Sequence, residues 1–404
     1  MKVKKSSLVA YCIWLFPITM LLSVTTLGNV LPILSYYDEI VGVISVIYLI
    51  PFIVKRQLDK RDMKIVYLMT IITLIGLVSN VYSRLISNIF PIVVDIVALW
   101  KPIACYLAFK KYSVNHRENM ISSLYEGAKI VIVFVAFTAI IGQVFDIGVS
   151  GANIFGNIKS FRFFWGNSLQ TGWLLYTCML IISARAESEQ VIKRYLFIAL
   201  VPLILTGAST VWCWCVIEFV LISMLKENQR FKRRYIIVFA GALIGLCYDD
   251  FVQYFLNPNA PRARFINAGI RVANKYFPLG SGFATFGSEM AARYYSKIYQ
   301  ELGWTHTYGL GMEYKQYLND DFFASIAGQF GWIGFILYLI GFYEIFSTIN
   351  SKILNRFERA SSLATILTMA AAMLGSASVK SAMGVCTFAT LGLIASKTSI
   401  GVCD

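Results

Sequence analysis

Long uninterrupted runs of apolar residues constrain this 404-residue chain more than any other feature of its sequence. Each run is close to the roughly 20 residues that an α-helix needs to cross a bilayer. Hydrophobic residues make up 57% of the chain and charged residues only 14%, whereas a soluble chain carries about 25% charged residues. The sequence therefore predicts an all-α, polytopic integral membrane protein.

We expect about 11–12 transmembrane helices in a single transmembrane domain that occupies residues 1–404. The predicted spans cover residues 8–28, 38–54, 64–83, 87–108, 128–147, 168–184, 195–207, 209–225, 235–250, 321–349, 361–376 and 381–397. Only "TGAS" lies at the boundary between the seventh and eighth spans, so these two form either a hairpin or one broken helix. The first apolar run has span length and no clear cleavage pattern, which favours an uncleaved helix.

The basic residues predict the orientation of the chain. The formal net charge is +14, and most of the 36 Lys and Arg residues fall on the inner loops when both termini are cytoplasmic. The short outer connections are nearly free of them, which is the positive-inside pattern of membrane proteins. Topology therefore accounts for the charge without nucleic acid as a partner. The eight cysteines show neither a disulfide framework nor zinc-ligand spacing.

Two outer segments are long enough to build a site. Residues 148–167 form a first longer periplasmic loop, and residues 251–320 form a large periplasmic loop. Structureless loops beyond about 15 residues are uncommon, so we expect the large loop to fold as short helices on the membrane surface. It carries seven basic residues against four acids. This excess, on the side where positive charge is disfavoured, indicates an anionic ligand such as a lipid diphosphate.

The large loop combines a predicted helix over 262–277 with the glycine-rich turn of "YFPLGSGFATFGS" at 276–288. The helix carries three arginines, whose planar donors suit phosphate. Glycines let a backbone approach a bulky ligand, and exposed N–H groups can hold phosphate or sugar oxygens. The aromatic residues expected to stack on sugar faces are Phe283, Phe286, Tyr294, Tyr295 and Trp304.

The segment "RFINAGIRVANKYFPLGSGFATFGS", followed by "NDDFFASIAGQFGWIGFILYLIGF", resembles the bacterial Wzy-type O-antigen and capsular polysaccharide polymerases. It also resembles their relatives, the O-antigen ligases. The shared pattern is an arginine 14 or 15 residues before a PLxGxG turn. A His or Asp then opens the next span ahead of a GxxG pair, here Gly331 and Gly334. The earlier "SFRFFWGNSLQTGWLLY" is similar to the other outer-loop signature of the family.

The resemblance implies a metal-independent glycosyl transfer on the periplasmic face of the bacterial inner membrane, with no cofactor. A sugar hydroxyl of a lipid-linked repeat unit attacks the anomeric carbon of a chain carried on undecaprenyl diphosphate, and undecaprenyl diphosphate leaves. The implied partners are these lipid-linked oligosaccharides, membrane lipids, a chain-length regulator and a flippase.

Such a reaction needs cations for the departing diphosphate and a base for the attacking hydroxyl. Arg264 stands at the position of the family's arginine, and Asp320 stands at the position of its His or Asp. These are the candidate catalytic residues, with His306 as a second candidate base because histidine titrates near neutral pH. The candidates for binding the diphosphate and sugars are Arg162, Arg262, Arg271, Gly280 and Gly282.

Several alternatives stay open. Asp321 also suits the N-cap of the following helix. Asp95, Lys101 and Glu218 are charged residues within predicted spans. Lys101 and Glu218 form a structural ion pair in one interpretation, and in the other these charged residues line the path of a lipid-linked substrate. The chain can also be an O-antigen ligase, although these enzymes usually have histidine where this chain has Asp320. A lipid-linked oligosaccharide flippase is the third alternative, but a flippase has no need of a seventy-residue outer loop.

Overall fold

The computed structural model describes residues 5–225, 252–353 and 355–396, together with three isolated positions between 226 and 251. Most of these residues are helical. Among them, six helices are long and apolar enough to cross a membrane, which makes the structure compatible with a membrane protein. They are Ser6–Ser23, Pro32–Val54, Lys60–Ser83, Ile89–Ser113, Arg117–Val144 and Phe322–Lys352.

The predicted spans agree closely with the helices of the described residues. In chain order these helices are α1 (Lys5–Ser23), α2 (Thr26–Val30), α3 (Tyr37–Val54), α4 (Lys60–Ser83), α5 (Ile89–Ser113), α6 (Arg117–Val144), α7 (Ser168–Arg185), α8 (Glu189–Leu205), α9 (Ser209–Met224), α10 (Pro261–Lys275), α11 (Glu289–Arg293), α12 (Lys297–Glu301), α13 (Phe322–Lys352), α14 (Arg356–Ala372) and α15 (Ala382–Ala395). The predicted span 235–250 lies outside the described residues. Helices α8 and α9 are separate, and the turn between them contains Gly207 at φ +66°.

The basic loops meet at one end of the helix bundle. We call this the basic end and define it by residues 55–62, 110–118, 185–189 and 352–359. Ion pairs cross between its loops: Lys352 with Asp59, Arg117 with Glu358, and Arg356 with Glu189 at 2.6 Å. Because successive long helices run in opposite directions, the connections after α4, α6 and α14 lie at the opposite end.

The first longer loop contains a β-hairpin, which the sequence did not predict, within an otherwise mostly helical structure. Strand β1 (Ser150–Phe155) pairs antiparallel with β2 (Ile158–Phe161), and Gly156 in the turn has φ +53°. The side chain of Gln143 at the end of α6 fastens β2, because it accepts from the N–H of Lys159 and donates to its carbonyl, both at 2.9 Å. Local pairing of two short strands thus coexists with a helical bundle.

The large loop folds into a compact unit, which we call the cap and define as residues 257–321. Its main helix, α10, packs on α13 and buries Phe265, Ala268 and Val272. The approach is so close that a Cβ on Gly269 would lie 2.9 Å from the carbonyl oxygen of Ala324. The cap thus contains short helices, as the sequence predicted, and it packs on a helix of the bundle.

Candidate functional site

Helix α13 is broken at Gly331, and this break determines where the cap sits. Gly331 has φ 64° and ψ −173°, so residues 322–330 form a half-helix before the break. A side chain at Gly331 would collide with the carbonyl oxygen of Pro278 and lie 2.7 Å from the nitrogen of Gly280. The glycine-rich turn of the cap is therefore seated directly in the break.

The N–H groups of the turn are used within the protein. Ser281 and Gly282 donate to the carbonyl oxygens of Gly328 and Gln329, at 2.9 and 2.8 Å, just before the break. The N–H of Gly280 donates to the carbonyl of Tyr276 at 2.9 Å. The expectation that Gly280 and Gly282 expose N–H groups to a ligand is wrong, because both residues are buried and both groups are bonded.

Glycine is needed at these positions because the backbone adopts positive φ in a crowded place. Gly280 has φ +81° and Gly282 has φ +97°. A Cβ on Gly282 would lie 2.7 Å from the backbone nitrogen of Asn80 in α4. The amide side chain of Asn80 meanwhile donates to the carbonyl of Phe283 and accepts from its N–H, at 2.9 and 2.8 Å. The turn thus joins α4 to α13.

A polar cluster lies beneath the turn, inside the bundle. Asp95 of α5 is 5% exposed and accepts from the N–H of Ala284 at 2.8 Å and from the side chain of Gln329 at 3.3 Å. The charge of Asp95 acts on Lys380, in the connection between α14 and α15. Burial lowers the pKa of the Lys380 ammonium, and the nearby Asp95 opposes this shift. The ammonium also lies 5.0 Å from the ring centre of Phe322.

Two carboxyl groups lie at the start of α13, with one arginine near them. Asp321 caps the half-helix, because its Oδ1 accepts from the N–H of Ala324 at 2.7 Å, and this confirms the capping alternative. Its Oδ2 is buried and has no hydrogen-bond partner. Arg262, from the first turn of α10, lies close enough to Asp320 and Asp321 for its charge to act on both. We call these three residues the carboxylate–arginine cluster.

Both carboxyl groups of this cluster hold protons more tightly than usual. Burial raises the pKa of the Asp321 carboxyl to about 7, against the lowering effects of the Ala324 N–H and the Arg262 guanidinium. Burial also raises the pKa of the Asp320 carboxyl, and Arg262 again opposes the shift. A carboxyl group with a raised pKa exchanges protons closer to neutral pH, which suits acid–base chemistry.

The structure separates the other predicted cations from this cluster. Arg264 lies on α10 but its Nη2 donates to the side chain of Asn259 at 3.1 Å, and its Nε faces the carbonyl of Pro258 at 3.4 Å. Arg271 is exposed further along α10. Arg162 follows β2, with its guanidinium against Gly151 of β1. Of the four predicted arginines, Arg262 is the one placed beside Asp320.

The predicted histidine and aromatic residues divide between surface and core. His306 is exposed on the loop after α12. Phe286 and Trp304 are buried, and both stack on Phe265 inside the cap. Phe283 and Tyr295 are buried as well, so of the five aromatic residues expected to stack on sugars only Tyr294 is exposed. Phe286, Tyr295 and Trp304 fill the core of the cap, whereas Phe283 packs into the bundle, 4.8 Å from the ring of Phe330 in α13.

Lys101 and Glu218 do not pair, contrary to one of the two interpretations of these residues. Lys101 contacts Asp38, and its Nζ lies 2.5 Å from Glu39, both at the start of α3. Glu218 on α9 accepts from the hydroxyl of Ser361 on α14 at 2.5 Å. The predicted Lys101–Glu218 ion pair was wrong because helical periodicity indicates which residues share a face of one helix, but not which helices are neighbours.

The cluster offers a cation next to two proton-exchanging groups, at the end of the bundle where the cap docks. Gly375, in the connection between α14 and α15, lies next to Arg262, since a Cβ there would be 3.7 Å from its Nη1, an ordinary van der Waals contact. Lys380 belongs to the same connection, and sequence reasoning missed it. Its signal was present: it is the one basic residue between α14 and α15, on the side predicted to be poor in positive charge.

In the residues that the structure describes, no three His, Cys, Asp or Glu side chains form a group able to hold a metal ion. Comparison with known proteins identifies no relative: no protein-family model matches the chain, and no curated protein matches it at a significant level.

Proposed function

We propose that this chain is a membrane glycosyltransferase that polymerises lipid-linked repeat units of a bacterial surface polysaccharide, and that the carboxylate–arginine cluster is its active site. The observation that carries the proposal is that the charge of Arg262 acts on the partly buried carboxyl group of Asp320. Asp320 lies in a segment whose sequence resembles the polymerases, Arg262 lies two residues before the other such segment, and they come from opposite ends of the cap.

The proposed reaction assigns one task to each side chain. Asp320 accepts the proton of the acceptor sugar's hydroxyl as its oxygen forms a bond to the donor's anomeric carbon. The bond from that carbon to the diphosphate breaks, and its electron pair stays on undecaprenyl diphosphate. Arg262 stabilises this negative charge, because a fixed guanidinium binds two phosphate oxygens at once.

A reconstituted assay with purified protein and lipid-linked repeat units tests the proposal. We expect Arg262→Ala to lower the rate by roughly 10²–10³-fold, as for the loss of one group that stabilises the charged transition state. Arg262→Lys should also be slow, since a point charge lacks the bidentate geometry. Asp320→Asn should lose about 10²–10⁴-fold, the range of general base catalysis.

Arg271→Ala is the matched control, because Arg271 lies on the same helix but is exposed away from the cluster. Gels of the products should show full ladders for this variant and single repeat units for Arg262→Ala. Full ladders from Arg262→Ala would refute the assignment of the site. Transfer by the wild-type protein to a lipid A core acceptor, or mere translocation of the lipid-linked unit, would instead identify the ligase or the flippase.

Labelling tests the proposed periplasmic location. His306 is exposed on the cap, so a His306→Cys variant should react with a membrane-impermeant maleimide added outside the inner membrane. Lys55→Cys at the basic end should react only after that membrane is opened. The reverse result would place the cap in the cytoplasm and exclude the proposed donor chemistry.

A further inference from the structure

The surface of the cap carries three exposed tyrosines, although several other large rings of the cap are buried. Tyr308 is 69% exposed, Tyr314 60% and Tyr294 56%. Trp304 and Tyr299, in the same part of the chain, are 7% and 0% exposed. The exposed rings therefore have a different environment from those that form the core.

Tyr308 and Tyr314 form a pair. Their ring centres are 6.1 Å apart, and the ring planes are inclined by 38°. The Nζ of Lys315 donates to the carbonyl of Arg293 at 3.2 Å and so joins the segments that carry Tyr314 and Tyr294.

The loop that carries the pair is held by its own hydrogen bonds. The N–H of Met312 donates to the carbonyl of Thr305 at 3.1 Å, and the N–H of Tyr317 donates to the carbonyl of Gly309 at 3.0 Å. Gly309 has φ +73° and lies against the ring of Tyr317. The tyrosine pair is therefore presented on a fixed backbone, which lowers the entropy that a ligand must overcome on binding.

We propose that Tyr308 and Tyr314 form a sugar-binding platform that holds the glycan chain next to the active site; this inference rests on the proposed function. One face of a pyranose ring presents C–H groups, which are attracted to the negative face of an aromatic ring and make many dispersion contacts with it. Tyrosine adds a hydroxyl that can bond to sugar hydroxyls, and it loses little side-chain entropy on binding.

The position of the platform suits a chain whose end reacts at Asp320. Asp320 follows Tyr314 by six positions, so their Cα atoms lie at most about 22 Å apart. This is within reach of a short oligosaccharide. The segment around the pair reads "THTYGLGMEYKQY", and its charged and polar residues favour an aqueous glycan over the interior of a bilayer as the occupant.

Binding measurements on the full-length protein in detergent test the platform. The probe is lipid-free polysaccharide released by mild acid from the producing cells, and calorimetry measures its affinity. We expect Tyr308→Ala and Tyr314→Ala each to weaken binding about tenfold, a loss typical of an aromatic stacking contact. Tyr308→Phe and Tyr314→Phe keep the rings and should bind within about threefold of the wild-type protein.

Tyr82→Ala is the matched control, since Tyr82 is 81% exposed near the end of α4 but does not belong to the cap. We expect it to leave both glycan binding and chain length unchanged, whereas the double alanine variant should make shorter chains. Unchanged glycan affinity in the double variant would overturn the inference. If the double variant instead kept its glycan affinity and lost binding to phosphatidylglycerol vesicles, the tyrosines would contact lipid and the inference would also be wrong. Failure of the wild-type protein to join repeat units would refute the proposed function, while glycan binding would still test the platform itself.

Discussion

Replacement of Gly280 by alanine tests whether the glycine-rich turn is a structural plug in the break of α13. Gly280 has φ +81°, and an alanine there costs about 1–2 kcal/mol in backbone strain. Its Cβ would also lie 2.5 Å from the carbonyl oxygen of Gln329, and overpacking of this kind costs about 1–3 kcal/mol. We therefore expect a total loss of about 2–5 kcal/mol in the free energy of unfolding.

Gly303→Ala is the matched control for this experiment. Gly303 has a similar φ of +72°, but a Cβ there has open space around it, so only the strain of about 1–2 kcal/mol applies. Thermal unfolding in detergent, followed by tryptophan fluorescence at one scan rate, compares the two variants. Gly280→Ala should unfold at a clearly lower temperature than Gly303→Ala. Equal unfolding temperatures would show that the turn is not packed into the break.

Two further predictions concern buried charge. The folded-state pKa of Asp321 is raised to about 7, so its contribution to stability is full below its ordinary pKa near 4 and is lost as the pH rises through 7. This amounts to about 2–3 kcal/mol between pH 5 and pH 8. Asp321→Asn keeps the N-cap and should remove this dependence of stability on pH. An unchanged pH dependence of the unfolding free energy, measured by chemical denaturation, would contradict the assignment. Lys101→Met leaves the buried Asp38 without its cation and should cost about 3–5 kcal/mol. Lys64→Met, which removes a pair whose lysine is exposed, should cost about 0–1 kcal/mol. Equal losses of stability for Lys101→Met and Lys64→Met in thermal unfolding would argue against a buried Lys101–Asp38 pair.

Local sequence was enough to locate the long helices and the N-cap residue of α13. Apolar runs of span length predict membrane helices wherever they occur, because each backbone N–H and C=O group in a bilayer must be satisfied within its own segment. Asp321 could be identified as an N-cap for a similar reason, since a cap bonds to an N–H group only three residues away. The helical segment of α10 also followed from the spacing of its apolar residues.

The arrangement of the candidate site depended on contacts between distant parts of the chain. The glycine spacing indicated a close approach of the backbone, but only the fold shows that the neighbour is the break at Gly331 instead of a ligand. In the same way, the sequence favoured Arg264, whereas the fold brings Arg262 near Asp320 and turns Arg264 to Asn259.

The sequence by itself therefore determined that the chain forms apolar helices separated by one large polar segment. Tertiary structure decided which rings of that segment are buried, which arginine reaches the carboxyl groups and which acids pair with Lys101. The physical reason is the range of the interactions. Helix formation and capping depend on neighbours within about four residues, whereas burial and ion pairing depend on which helices pack together.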